Sequence, residues 1–283
     1  MIMRGFGWTN VQVPVIGQGT WMIEGNREAE RSAIEALQTG IELGMTHIDT
    51  AEMYGGGRAE ELVGDAIRGR RESVFLTGKV LPSNASYRGT LHACRQSLRR
   101  LDTDYLDLYL LHWRGHYPLG ETMRAMEELA EAGEIRFIGV SNFDTPAVQE
   151  AQQALRRHRL ASNQVLYHLG DRGIERRLLE YCRREEIAVV AYSPFGHAGF
   201  PGPESKGGRV LGEAGARHNR TPRQVALNFL ARHPHVFLIP KSSRAGHTRE
   251  NAGGAGWELA PEDLAAIDRA FPAPSRDVPL GMI

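Results

Sequence analysis

Along the chain, short apolar runs alternate with stretches in which apolar residues recur every three or four positions. The runs are Val15–Gly19, Thr46–Thr50, Val74–Val80, Tyr105–His112, Ile135–Ser141, Gln164–Tyr167, Ile187–Ser193 and Val236–Pro240. Several, such as Ile187-Ala188-Val189-Val190-Ala191 and Val236-Phe237-Leu238-Ile239, are apolar at nearly every position. A strand has that pattern when both of its faces are covered, as in a parallel sheet flanked by helices. Between the first two runs, Ala33, Ile34, Leu37 and Ile41 fall on one stripe of a helix that Gly44 ends.

Eight strand–helix units in series predict an α/β fold with a parallel sheet. Right-handed connections let the eight strands close into a (β/α)₈ TIM barrel without exposed edges, and a doubly wound open sheet is the alternative. An N-terminal β-hairpin is expected around Gly5–Pro14 and a C-terminal tail over Pro272–Ile283. The one could plug the bottom of the barrel and the other edge its mouth. The Gly- and Pro-rich segment His197–Gly208 follows neither period and is expected to be a mobile loop. Barrels of this kind typically take about 250 residues, so residues 1–283 are expected to form a single domain.

Hydrophobic residues at 41% and charged residues at 24% exclude general disorder. Lys plus Arg equal Asp plus Glu at 34 each, so no net field draws nucleic acid or an anionic membrane. A small-molecule partner fits that balance, and so does a monomer or weak homo-oligomer. Met1–Pro14 lacks the apolar stretch of a secretory signal, and no run of about 18 apolar residues occurs elsewhere. A cytoplasmic location is expected. Cys94 and Cys182 belong to no metal-ligand spacing and are expected to be reduced, buried thiols, with no metal site.

Active sites of such barrels lie at the C-terminal ends of the strands. Asp49, Lys79 and His112 end the second, third and fourth strands, and Tyr54 follows five residues after Asp49. Singly, each has an ordinary explanation: an ion pair, a packing ring, a satisfied histidine. As a set they describe a proton donor. A phenol with a pKa of about 10 donates usefully near pH 7 only if that value falls, and the ammonium of Lys79 is expected to lower it. Asp49 can pair with Lys79 and hold it in place, while His112 can orient a substrate carbonyl. Trp21, Trp113 and Phe195, just after the first, fourth and seventh strands, are the expected walls of a mostly apolar pocket.

The usual phosphate signatures are missing. Gly17-Gln18-Gly19 lacks the third glycine and following acid of a dinucleotide fingerprint, and Gly55-Gly56-Gly57 lacks the Gly-Lys-Ser/Thr ending of a phosphate loop. Cofactor phosphates are instead expected at the last βα loop, Lys241-Ser242-Ser243-Arg244, whose cations and hydroxyls lead into a helix N-terminus. An exposed basic turn is the alternative there.

The stretches Asp49-Thr50-Ala51-Glu52-Met53-Tyr54-Gly55, Lys79, Leu111-His112, Gly139-Val140-Ser141-Asn142-Phe143, Ala191-Tyr192-Ser193-Pro194 and Ile239-Pro240-Lys241-Ser242 occur in that order. In them the sequence resembles the aldo-keto reductase family, over nearly the whole chain from about Phe6. The resemblance implies an enzyme that reduces aldehydes or ketones to alcohols with hydride from NADPH. It implies Tyr54 as general acid, Lys79 and Asp49 as its tuning pair and His112 as the donor that positions the carbonyl. It also implies a nicotinamide amide held by Ser141, Asn142 and Gln164, with the ring stacked on Tyr192 beside Ser193.

One departure concerns the cofactor. His247 stands where the family often has an arginine six positions after the lysine, whereas Glu250 and Asn251 remain to hold the adenine. Lys241, Ser242 and Arg244 are left to neutralise a 2′-phosphate, so NADPH is the expected cofactor and NADH the alternative. The compact loop Trp113–Gly120 is similar to that of bacterial relatives that accept methylglyoxal or aromatic aldehydes. Two other classes compete: a nicotinamide-cofactor-binding sensor or regulatory subunit with slow turnover, and a metal-dependent barrel hydrolase. The second is disfavoured because paired His-x-His ligands are absent from the C-terminal ends of the strands.

Overall fold

The chain opens with an antiparallel hairpin, β1 (Met3–Gly5) against β2 (Gln12–Pro14), with Met3 opposite Pro14. The computed structural model describes residues 1–197 and 199–283, so Ala198 of the expected loop lies outside them. Phe6, between the two hairpin strands, is fully buried against Phe75 and Phe237, with ring centroids 5.0 Å away in both cases. Those two rings stand near the N-terminal ends of their strands, so the hairpin does stop the bottom of the barrel.

The barrel strands are β3 (Gln18–Gly19), β4 (His47–Asp49), β5 (Phe75–Val80), β6 (Leu106–Leu111), β7 (Ile135–Ser141), β8 (Leu160–Leu166), β9 (Ala188–Tyr192) and β10 (Val236–Ile239). Each pairs in parallel with the next in sequence. The ring closes where Gly17 N–H donates to Leu238 O and Leu238 N–H to Val15 O, both at 2.8 Å. Parallel bridges Ile16–Leu238 and Gly19–Lys241 complete that seam. Closure decides against the open sheet, because it gives the first and last strands partners that an open edge would leave unpaired.

Between strands run α1 (Arg27–Glu42), α2 (Arg58–Ile67), α3 (Tyr87–Leu101), α4 (Leu119–Glu131) and α5 (Thr145–Ala154). They are followed by α6 (Leu178–Arg184), α7 (Lys206–His218), α8 (Pro222–Leu230), α9 (Ala245–Ala252) and α10 (Pro261–Ala270). Short polar side chains start several of them. Asn26 accepts from Glu28 and Ala29, Ser86 from Gly89, and Thr221 forms a reciprocal capping box with Gln224. Among strand residues, Leu76, Ile138, Val189 and Leu238 join the layer under the helices, while Phe75, Leu108, Leu110, Val190 and Phe237 form an inner cluster. Each such buried side chain stabilises the fold by about 1.5–3 kcal/mol.

Two expectations shift. β8 begins at Leu160, four residues before the apolar run, since Ser162 and Asn163 interrupt the apolar pattern although both are buried. Asn163 is accommodated there by donating its side-chain amide to Phe143 O at 2.8 Å. The segment His197–Gly208 is not loop throughout: Lys206–Gly208 form the first turn of α7, capped by Ser205, which accepts from Gly208 N at 3.0 Å. The C-terminal tail reaches the mouth, with Leu280 on the core and Met282 and Ile283 at the opening. Both cysteines are buried and unpaired.

Candidate active site

The C-terminal ends of β3, β4 and β6 to β10 converge on a cavity of about 260 Å³. Its floor carries Asp49 from β4, Gln164 from β8 and the end of β7, Ser141, all of them almost fully buried. Lys79 projects beneath it from β5 and is wholly buried. The Lys79 ammonium donates to Asp49 Oδ1 at 2.5 Å, to Thr50 O at 3.0 Å and to Tyr54 Oη at 3.2 Å. All three N–H bonds of an ammonium thus have acceptors, which sets its position. Tyr54 sits on a turn of 3₁₀ helix, Tyr54–Gly57, in which Gly55 and Gly56 adopt φ near +60°, a conformation glycine enters without steric cost. His112 follows β6, its ring edge-on to Tyr54 with centroids 5.9 Å apart.

Burial dominates the electrostatics. It lowers the pKa of His112 to about 3, with Lys79 adding in the same direction, so the imidazole is neutral and carries one N–H to donate. His47, wholly buried, is lowered to about 3 for the same two reasons. For Lys79, burial pulls the pKa down but Asp49 and Tyr54 outweigh it, and the net shift is upward. Tyr54 corrects the expectation from sequence: burial raises its pKa more than Lys79 lowers it, and the net direction is up. At neutral pH the phenol therefore keeps its proton. That is the form a proton donor needs.

Two strand ends are held in the left-handed region. Asn142 has φ 62° and Ser193 has φ 49°. Residues other than glycine adopt such angles at a cost of order 1–3 kcal/mol, so the surroundings must compensate. For Asn142 they do: its backbone N–H donates to Gln164 O at 2.8 Å, its amide donates to His112 O at 3.1 Å, and its Oδ1 accepts from Tyr192 Oη at 2.8 Å. These bonds tie β6, β7, β8 and β9 together around the cavity.

Trp21 and Trp113 wall this cavity, and Ser193 and Lys241 stand on its lining, so most of the sequence candidates meet in one place. Others do not. Phe195 lines a neighbouring cavity with His168 and Phe271. Ser242 and Arg244 lie on the loop beyond Lys241, where Ser242 Oγ donates to Arg244 O at 2.9 Å. Glu250 faces a third cavity beside Arg223, its carboxylate accepting from Thr221 Oγ1 at 2.7 Å, and Asn251 is buried on the same helix. The second cavity shares Ile283 with the first, and Phe200 with the third.

The model of the Aldo/keto reductase family matches residues 15–271. The chain belongs to this family. It is 45% identical over 274 residues to methylglyoxal reductase YeaE of Escherichia coli (strain K12), covering 97% of this chain and 96% of that one. Glyoxal reductase of Bacillus subtilis (strain 168) is 36% identical, with 91% and 89% covered. Among solved structures, an aldo-keto reductase from Klebsiella pneumoniae in complex with NADPH superposes with a TM-score of 0.93 at 43% identity, over 100% of both chains.

In this aldo-keto reductase several lining residues were not foreseen from sequence: Met53, Met282, Ile283 and Ile239. Met53 and Ile239 lie inside motifs already singled out, so proximity to Tyr54 and Lys241 was a usable signal. Met282 and Ile283 belong to the tail expected to edge the mouth, but a tail with neither helical nor strand period does not reveal which of its residues reach the cavity. His197 is likewise unforeseen, stacked on Trp21 with centroids 5.6 Å apart.

Proposed function

We propose that this protein reduces aldehydes or ketones to alcohols with NADPH, Tyr54 supplying the proton. The observation that carries the reading is the ammonium of Lys79 shared between Asp49 and Tyr54 below the same cavity that His112 faces. The donor set supports a nicotinamide cofactor: the Ser141 hydroxyl and Gln164 amide suit a carboxamide, the flat ring of Tyr192 suits stacking, and Lys241 suits a phosphate. The NADPH complex of the Klebsiella relative supports the choice of cofactor. NADPH, when bound, supplies the hydride.

The chain's own residues do the rest. Neutral His112 donates a hydrogen bond that orients the carbonyl oxygen and favours negative charge on it. The Tyr54 Oη–H bond breaks as its proton passes to that oxygen, and the phenolate left behind is stabilised by Lys79, which retains its own protons. Asp49 keeps Lys79 charged in a site from which water is excluded. Trp21, Met53, Trp113 and Met282 present apolar surface to the substituent on the carbonyl, which suits small α-dicarbonyls such as methylglyoxal as well as aromatic aldehydes.

The test is NADPH oxidation with methylglyoxal, 4-nitrobenzaldehyde and a simple ketone, comparing wild type with Tyr54→Phe at matched cofactor binding. Turnover that falls at least a hundredfold, about the scale of general acid catalysis, supports the reading. Tight NADPH binding with no turnover in wild type would favour the sensor alternative.

A further inference from the structure

Asp49 is 1% exposed, and each of its carboxylate oxygens has one side-chain donor. Lys79 Nζ serves Oδ1 at 2.5 Å and Gln164 Nε2 serves Oδ2 at 2.6 Å. Gln164 stands on β8 and Asp49 on β4, four strands apart in a ring of eight, so this bond crosses the barrel from one wall to the other. A carboxylate only accepts, so the NH₂ of Gln164 must face it. The amide's carbonyl oxygen is then left for a donor in the cavity that Gln164 lines.

We propose that Gln164 is a positioning residue for the proton donor: by anchoring Asp49 Oδ2 it fixes Lys79 under Tyr54. Gln164–Asp49–Lys79–Tyr54 is then a single chain from the cofactor side of the cavity to the reacting proton. The inference rests on the reading of Tyr54 as the acid, and it adds a duty that contact with a carboxamide alone would not require.

The argument is one of anchoring. The three N–H bonds of Lys79 go to Asp49, Thr50 O and Tyr54. Its head therefore follows Asp49, and a carboxylate held at one oxygen can pivot, whereas one held at both cannot. Among the described residues, no second side chain donates to Oδ2. Without Gln164 the buried oxygen loses its donor. The carboxyl then relieves the loss by turning toward Lys79 or by taking up a proton. The first change moves the ammonium away from Tyr54 Oη. The second removes the charge that keeps Lys79 protonated in a dry site. In both cases the phenolate formed when Tyr54 releases its proton is less stabilised, and proton donation slows.

The experiment compares wild type, Gln164→Met, Gln164→Glu and Tyr54→Phe. NADPH affinity is read from tryptophan fluorescence, and single-turnover NADPH oxidation with methylglyoxal is followed at saturating NADPH from about pH 5 to about pH 9. Gln164→Met, of similar length but without donors, is expected to slow the saturated rate about ten- to a hundredfold, the scale of a lost hydrogen bond to a charged group. Gln164→Glu places a carboxyl beside Asp49, which raises the pKa of the introduced group. Protonated, it donates to Oδ2 as the amide does; ionised, it repels. Its rate is expected to approach wild type at the acidic end and to fall as pH rises, a titration wild type lacks. A Gln164→Met variant with weaker NADPH binding but a wild-type saturated rate overturns the proposal and leaves Gln164 as a binding residue only. Wild-type-like turnover in Tyr54→Phe overturns the underlying assignment of the acid, and the proposal with it, so the two failures are told apart by which variant retains activity.

Discussion

Replacing Lys79 by Met separates what the buried ion pair does for folding from what it does for chemistry. The side chains of Lys79 and Asp49 are 0% and 2% exposed, and their charged atoms lie 2.5 Å apart. Removing one partner of such a pair leaves an uncompensated charge in the interior, at a cost of about 3–5 kcal/mol. Replacing both by groups of similar shape costs far less, because no ion is left to desolvate. Lys79→Met is therefore expected to lose about 3–5 kcal/mol, and Lys79→Met with Asp49→Asn to recover most of that loss. With an m-value of about 3 kcal/mol per M, the urea midpoint of the single variant falls by about 1–1.7 M. The gap between single and double variants depends on pH with a definite sign. In Lys79→Met the carboxyl of Asp49 has a folded-state pKa above its unfolded value, so its penalty is present at neutral pH and shrinks as pH falls and the group takes up a proton. Activity follows a different rule: under the proposed mechanism both variants lack the ammonium that stabilises the phenolate, so the double variant is expected to regain stability without regaining turnover. Equal urea midpoints for the two variants at pH 7 would refute the account of the pair as a charge-compensated unit.

Three other outcomes follow from the same structure. His112 stays neutral down to about pH 3 in the folded chain, whereas an unfolded histidine takes up a proton near pH 6.5. Its stabilising contribution is present above that value and is lost as pH falls; by pH 5 the loss is about 2 kcal/mol. With the same m-value, urea midpoints at pH 7 and pH 5 should differ by about 0.7 M less in His112→Gln than in wild type, and identical pH dependences would contradict it. Lys241→Ala should weaken NADPH about ten- to a hundredfold and NADH much less, since only NADPH carries the 2′-phosphate; parallel losses in fluorescence titrations would remove Lys241 from that role. Phe6→Ala opens the bottom of the barrel, where Phe6 is fully buried, and should cost about 3–5 kcal/mol by calorimetry or urea. NADPH affinity should be unchanged, because the plug and the cavity lie at opposite ends.

The sequence by itself determined the periodic parts of this protein. Eight apolar runs separated by helical stripes required eight covered parallel strands, and the position of Asp49, Lys79 and His112 at the ends of their runs placed them on one side of any barrel so formed. Local chemistry sufficed there because burial of a strand acts on consecutive residues and leaves its pattern in consecutive letters. Where buried polar residues broke the pattern, as at Ser162 and Asn163, the strand was under-read by four residues. Only the tertiary structure decided what depends on distance across the ring. The bond from Gln164 to Asp49 joins residues 115 apart. The upward shift of the Tyr54 pKa follows from a burial that no local motif encodes. Which residues of the tail line the cavity, Met282 and Ile283, and the departure of Phe195 to a neighbouring cavity, were decided in the same way. Hydrogen bonds, desolvation and packing act through space, and closure of the barrel is what makes distant letters neighbours.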